Sequence, residues 1–543
     1  MTVSKKTLNQ WITTIAGFIQ QDQEIDPVCY AKFIDYPELA IVIIDVIAGL
    51  SERRVDANPS RYTACIFVLD ICVAKLQTVS ESGSKSAEKH LQQLMTHLTT
   101  AIDAGKHSLS FWLPILNAFY EVHVALSSEL KEAYLNLANQ ESVVMPDDEI
   151  SHLTSIRDLI AELSDLTVFE IAENFFAQSY AMPPDFFIDL VLDLYHLPEG
   201  HDIALLTLLH PNPEVRDVVV ATLDSLMSSI QLSDISLSRL RVIQEWYPED
   251  YRAQFQEWIT LQRKKGVVFQ RAEPAKIVQI KASEVDGGGA QGIFIHIRKK
   301  RQNRLCGLLV KQDLGIKDAW ITPVISAKDV CRYYDEAFDD SIVLRAIDVP
   351  YLEKITNHFL AMTLAQGGMP DLHLVEIQEE LGVHFVAQPL DVDDLMQHLA
   401  IQISPFTQET IQAALRRSQK WPQTKRFVES WFVENAVVDK LVNQCAGFVD
   451  GVKICELDQA MTMVFQEELE LHREHWLFHF LWVALWMKIA ARKTELMWKD
   501  SFIIAHLIAS GEPLTEIPLM QHICKKSVLN SIETMQERKT YLS

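Results

Sequence analysis

Glycine is scarce, with 18 in a chain of 543 residues. A sequence so poor in the residue that tight corners favour is ill suited to a turn-rich all-β fold, and helices are expected instead. The eight cysteines are scattered and form no CxxC pair, which speaks against a disulfide framework. Cys65, Cys72, Cys445 and Cys455 sit in apolar helical stretches, where a thiol behaves as a small hydrophobe, so a reducing compartment is expected. No apolar run reaches the roughly 20 residues that span a bilayer. The most apolar run, Trp476–Ala491, contains His479 and Lys488 and reads as a buried core helix. The N-terminus has a basic start but neither a long apolar stretch nor a small-residue cleavage site, and reads as a first amphipathic helix. These absences point to a protein of the cytosol, or one delivered into a cytosol, with no transmembrane segment.

Reaction motifs are missing as well. The chain has no GxSxG, no HExxH and no local cysteine-protease signature. Its glycine-rich loop, Asp286–Gly292 (DGGGAQG), runs into Ile293-Phe294-Ile295, a strand. A phosphate-binding loop opens a helix whose N-terminus holds the anion, so this loop is expected to be a flexible hairpin tip. The acidic pairs Asp147-Asp148, Asp339-Asp340 and Asp393-Asp394 lie at helix starts or in loops, where capping explains them.

What the chain does have is segregated charge. Its net charge is −24, yet Arg263–Lys317 carries thirteen Lys/Arg against four Asp/Glu, a net +9. Such a contrast makes a local field that orients an anionic partner or the acidic flanks of the same chain. Within it, Arg298, Lys299, Lys300, Arg301 and Arg304 cluster on one β-turn, with Arg263, Lys264 and Lys265 upstream. Arginine grips carboxylate or phosphate bidentately. A solvated hairpin, pairing with the acidic helical flanks or an acidic protein, and binding of nucleic acid or anionic lipid through residues 263–317 all remain open. Aromatics for base stacking are few nearby (Phe269, Phe294), which disfavours reading of single-stranded RNA.

Periodicity organises the rest. Apolar residues recur every three or four positions in Leu8–Ile19, Leu39–Leu50, Tyr62–Leu76, His90–Ile102, Phe111–Leu126 and Ile156–Leu163. Breaks fall at Asn58–Ser60, Ser80–Ser86 and Met145–Asp148. From about Val267 to Val349 the period changes to two. Lys276–Lys281, Gly292–Arg298 and Leu305–Val310 predict an antiparallel meander, joined by Asp286–Gly289 and Arg301–Asn303, with Ile342–Ile347 as a fourth strand. Ser326–Phe338 is expected as a helix capped by Ser326 with Asp329 as its N3 acid. Helices then return at Tyr351–Leu364, Leu372–Leu381, Val392–Ile401, Gln408–Ser418 and Phe427–Leu441, followed by a long one from Leu457 to Ala491.

Leu205–Leu226 (LLTLLHPNPEVRDVVVATLDSL) pairs an apolar helix, a turn bearing Pro211 and Pro213, and a second apolar helix striped by Val215, Val218, Val219, Leu223 and Leu226. This segment resembles a HEAT repeat. The resemblance implies a stacked helical scaffold, extending from about residue 150, whose concave surface binds a partner.

A second constellation lies on the last long helix. At about 100° per residue, Glu468, His472, His475 and His479 fall on one arc, a spacing that suits a transition-metal site. Core or surface histidines with ordinary partners are the alternative, and no cofactor is otherwise expected.

The architecture expected is mainly α, in three parts. A solenoid-like helical array occupies residues 1–262, a small inserted antiparallel α+β domain 263–349, and a C-terminal helical domain 350–543. The function expected is a non-catalytic scaffold that recognises a protein partner. A metal-dependent enzyme and a polyanion binder are its rivals.

Overall fold

Short polar side chains set where the helices begin. Ser4 Oγ accepts the backbone N–H of Thr7 (3.1 Å), and Asn212 accepts that of Glu214 (2.9 Å) just ahead of Pro213. Asp348 does the same for Tyr351 (3.0 Å), and Thr167 with Glu170 forms a reciprocal capping box. Asp391 caps Val392–Ile401, placing Asp393 and Asp394 in its first turn, where carboxylates suit the helix dipole. In the computed structural model these signals produce a chain that is 67% helical, with 26 α-helices among the described residues and a small sheet in the middle. The structure describes residues 4–542 except 82, 145–148, 271–272, 337–341, 404–405, 446, 450–451, 455 and 490–495. The expected break at Met145–Asp148, the pair Asp339-Asp340 and Cys455 therefore lie outside the described residues.

The chain divides into two compact units, the first running to Thr207 and the second from Leu208 to Arg538. In the first unit, helix Ser60–Glu81 is central. Its stripe of Ala64, Cys65, Val68, Leu69, Cys72, Val73 and Leu76 is buried against helices Lys5–Gln20, Ala40–Ala48, Lys85–Asp103 and Leu109–Tyr120. Among the described residues it is the one helix long and apolar enough to cross a membrane. The seven described cysteines are free. The resembling segment Leu205–Leu226 takes in the last two residues of a short helix, His201–Leu206, a 3₁₀ turn, Thr207–Leu209, and helix Pro213–Leu226. The division between the units falls within it.

The second unit is built round a five-stranded antiparallel sheet: β1 Lys276–Ala282, β2 Ala290–Lys299, β3 Gln302–Lys311, β4 Gly315–Ile321 and β5 Arg345–Ala346, in the order β4-β3-β2-β1-β5. Ile293, Ile295 and Ile297 of β2 are buried, as strand alternation requires. The expected fourth strand, Ile342–Ile347, shortens to β5 and pairs with β1, while β4 is an additional strand. The β2–β3 turn is Lys300-Arg301, since Lys299 pairs with Gln302; of the expected connection Arg301–Asn303, only Arg301 is in the turn and Gln302 and Asn303 belong to β3. Helix Ala327–Glu336 carries the foreseen cap, with Ser326 Oγ accepting from Asp329 N (3.1 Å).

Three indoles fasten this sheet to the helices that follow. Trp482 donates to the Tyr351 hydroxyl (3.0 Å), which donates to Gln291 of β2 (2.8 Å). Trp486 donates to the Ala282 carbonyl (3.3 Å), and Trp431 to that of Val285 (2.8 Å). Buried indole N–H groups need such acceptors. The boundaries expected near residues 262 and 349 both fall inside this second unit.

Two expected helices are interrupted. Phe427–Leu441 breaks at Ser430–Asn435, because Val433 N–H goes to Ser527 Oγ (2.8 Å) and Asn435 caps a new helix at Val438 (2.9 Å). The expected Leu457–Ala491 helix resolves into Leu457–Val464, a π-helical stretch Phe465–Leu469, a turn, and Arg473–Ile489.

The glycine loop is packed rather than a free tip. Gly287 N–H donates to Ser430 O (3.0 Å), and a Cβ on Gly287 would lie 2.4 Å from Phe432 O and 2.7 Å from Ser430 O. Backbone cannot retreat as a flexible side chain would. Gly287→Ala is therefore expected to cost about 1–3 kcal/mol, read as a lower urea midpoint of tryptophan emission. At exposed Gly288 the nearest atom would be Asp286 Oδ1 at 3.4 Å, so Gly288→Ala should barely move the midpoint. Equal midpoints for the two variants would show that the loop yields.

Candidate functional site

The hairpin's five cations separate into two groups. Arg304, on β3, points at helix His373–Leu381, whose inward carboxylates are Glu376 and Glu380. Its Nη2 lies 3.1 Å from Glu376 Oε1, its Nη1 3.6 Å from Glu380 Oε1, and its Nε donates to Thr322 O at 2.8 Å. Lys299 Nζ reaches Glu380 Oε2 at 3.4 Å. On the same helix, Glu379 receives Arg239 bidentately at 2.7 and 3.0 Å, and Glu376 also meets His373 Nδ1 at 2.9 Å. These carboxylates are largely withdrawn from water, so the forked geometry matters for keeping charge there.

Arg298, Lys300 and Arg301 are exposed, and no carboxylate partner is seen for them among the described residues. Lys300 holds φ +57°, a left-handed conformation that glycine or asparagine would adopt at lower cost. The turn thus carries a lysine where the backbone favours glycine.

Of the proposed metal set, Glu468 and His472 lie together, with His472 Nδ1 3.6 Å from Glu468 Oε1, while His475 and His479 have other neighbours. Glu468 Oε1 accepts from Asn435 Nδ2 (2.8 Å), and His472, more than half exposed, bonds through Nδ1 to Glu468 O (2.9 Å). His475 Nδ1 lies 3.8 Å from Asp313 Oδ2. The neighbouring His475 imidazole holds the Asp313 carboxyl below the usual range. His479 is fully buried against Trp431 and Trp476, with no hydrogen-bond partner at either ring nitrogen, and burial pushes its pKa well below the ordinary value. Among the described residues no group of three or more His, Cys, Asp or Glu is gathered to hold a metal. Glu468 and His472 meet across the end of the π-helical stretch, whereas on the regular helix beyond it His475 turns to Asp313 and His479 to Trp431 and Trp476.

Two further concavities lie in the second unit. One, of about 500 Å³, mixes Glu353, Asp391 and Asp394 with Lys354 and Lys488. Burial, aided by Lys354, lowers the Lys488 pKa. The other, of about 460 Å³, lies where Arg241, Arg263 and Lys264 meet Phe269. Sequence reading noticed Arg263, Lys264 and Phe269 but missed Arg241 and the acidic helix. The run Glu376–Glu380 was a visible counter-charge to the basic island, but nothing local says that the two meet.

Residues 393–532 match the family model described as the Y4lR C-terminal helical domain, and residues 183–266 that of the Y4lR second domain. Neither description is of HEAT repeats. A Sinorhizobium fredii (strain NBRC 101917 / NGR234) protein, "Uncharacterized protein y4lR", is 26% identical over 316 residues, which are 57% of this chain and 58% of its relative. The chain thus spans under two thirds of that relative's length. No solved structure matches. The hairpin and its acidic helix lie between the two family matches.

Proposed function

We propose that this chain is a non-catalytic scaffold of a cytosol that engages an acidic segment of a partner protein through Arg298, Lys300 and Arg301. The observation that carries the reading is the split within the hairpin. Lys299 and Arg304 fix it to helix His373–Leu381, while three cations face solvent on a two-residue turn. A rigidly based tip loses little entropy on binding, and an unpaired lysine at positive φ is costly unless it serves recognition. The many helices around the sheet suit a scaffold. Aromatic rings for base stacking are not part of this tip, which favours carboxylate over nucleic acid.

The test uses the full chain and a fluorescent Glu/Asp-rich 15-residue peptide, with a single-stranded RNA and phosphatidylserine vesicles as competitors. Saturable peptide binding that weakens with salt is expected. Charge reversal by R298E/K300E/R301E should lower affinity at least about tenfold, since exposed pairs contribute about 0.2–1 kcal/mol each. Peptide binding unaffected by the triple variant, or tighter binding of RNA or vesicles, would overturn the proposal.

A further inference from the structure

A concavity lined by cations and no described carboxylate lies between helices Asp234–Trp246 and Arg252–Lys264. Arg241 comes from the first helix, Arg263 and Lys264 from the end of the second, and Phe269 from the segment leading to β1. That segment is pinned to the first helix: Val268 N–H donates to Asp234 Oδ1 and Gln270 N–H to Ser238 Oγ, both at 2.9 Å. The Phe269 ring is thereby held against two guanidiniums, with Arg241 Cζ 4.9 Å and Arg263 Cζ 5.5 Å from its centroid. The ring's face attracts each cation. The cations repel one another, and none of the residues lining the concavity is a carboxylate. Arg239, two residues from Arg241, is paired with Glu379 and does not line the concavity.

We propose that this concavity is a binding site for an organic phosphate dianion. Three cations exceed what one carboxylate offsets, whereas a phosphoryl group of charge near −2 offers three acceptor oxygens to two forked donors and an ammonium. The side-chain amides of Gln244 and Gln256 border the site and supply neutral polar contacts for the remainder of the ligand. The volume of about 460 Å³ falls within the range of small-molecule sites. The aromatic ring serves as a fixed spacer that presents both guanidiniums before the ligand arrives, which lowers the ordering cost of binding. The site is separate from the hairpin tip, since it shares no residue with Arg298, Lys300 or Arg301.

The experiment titrates the full-length chain by calorimetry with three probes: inorganic pyrophosphate, adenosine 5′-diphosphate, and vesicles containing phosphatidic acid. A soluble phosphate ligand predicts saturable binding of pyrophosphate or the nucleotide with Kd below about 1 mM; a lipid headgroup source predicts preference for the vesicles. In either case R241Q and R263Q, both at exposed positions, should each weaken the favoured probe about tenfold while leaving the ligand-free melting temperature unchanged. F269L should weaken it too, by freeing the guanidiniums. The hairpin variant R298E/K300E/R301E should bind the probe as wild type does, which separates this site from the proposed peptide surface. No saturable binding of any probe, or binding that survives R241Q/R263Q unchanged, overturns the assignment.

Discussion

Replacing Arg304 by methionine is expected to remove about 3–5 kcal/mol from the stability of the Leu208–Arg538 unit, the range for breaking a buried ion pair from one side. The side chain of Arg304 is 15% exposed, and those of Glu376 and Glu380 are 6% and 18% exposed. Methionine keeps much of the packing but leaves Glu376 with His373 alone and Glu380 with the half-exposed Lys299 alone, and Thr322 O loses the Nε donor. Urea unfolding followed by tryptophan emission reads the loss. The triple variant R304M/E376Q/E380Q should recover most of it, because the penalty lies in the orphaned charge more than in the lost attraction. A cost under about 1 kcal/mol for R304M would place the pair in the weak surface class. The hairpin would then have no firm base from which to present its tip.

Most helices were legible because an apolar stripe at helical spacing needs no knowledge of the partner surface. Lys5–Gln20, Val349–Ala365 and Gln408–Ser418 are of this kind, and their caps were written locally. The β1–β2–β3 meander was legible from strict alternation. β4 was not, since Lys317-Asp318 interrupts its apolar run and a register shift at Leu309/Val310 breaks the phase. Nor was the break at Ser430–Asn435, which depends on Ser527 and on Val285, partners about one hundred residues or more away. Charge segregation could be counted, but its resolution could not. Arg304–Glu376 and Lys299–Glu380 span 72 and 81 residues, and composition cannot say which cations end up committed and which remain at the tip. The histidine arc kept only Glu468 and His472 together, because His475 meets Asp313 and His479 meets Trp431, partners that helical spacing alone does not show.

Acidification from pH 7 to 4.5 should destabilise the wild-type Leu208–Arg538 unit by about 2–3 kcal/mol more than it destabilises the His210→Asn variant. Burial pushes the His210 pKa down to about 3 from an ordinary 6.5; nearby Arg216 adds to this, and the Asn212 backbone hydrogen bond opposes it. A histidine whose folded pKa lies below its unfolded one keeps its full contribution only above pH 6.5. That contribution is lost progressively as pH falls toward 3, because the unfolded chain takes up the proton first. At about 1.36 kcal/mol per pH unit, two units below 6.5 give the stated difference. Asparagine retains an acceptor for the Asn212 N–H, which His210 Nδ1 now receives at 3.1 Å, and so keeps the turn while removing the titration. Taking the difference between the two proteins cancels the opposing carboxyls Glu284, Asp286 and Asp500. Burial raises their pKa values, so they contribute stability at low pH and lose it as pH rises. His358, held down to about 4 by burial, and His479 titrate in both proteins and cancel likewise. Parallel stability curves for wild type and His210→Asn between pH 7 and 4.5 would mean that the imidazole takes up its proton in the folded turn as readily as in the open chain.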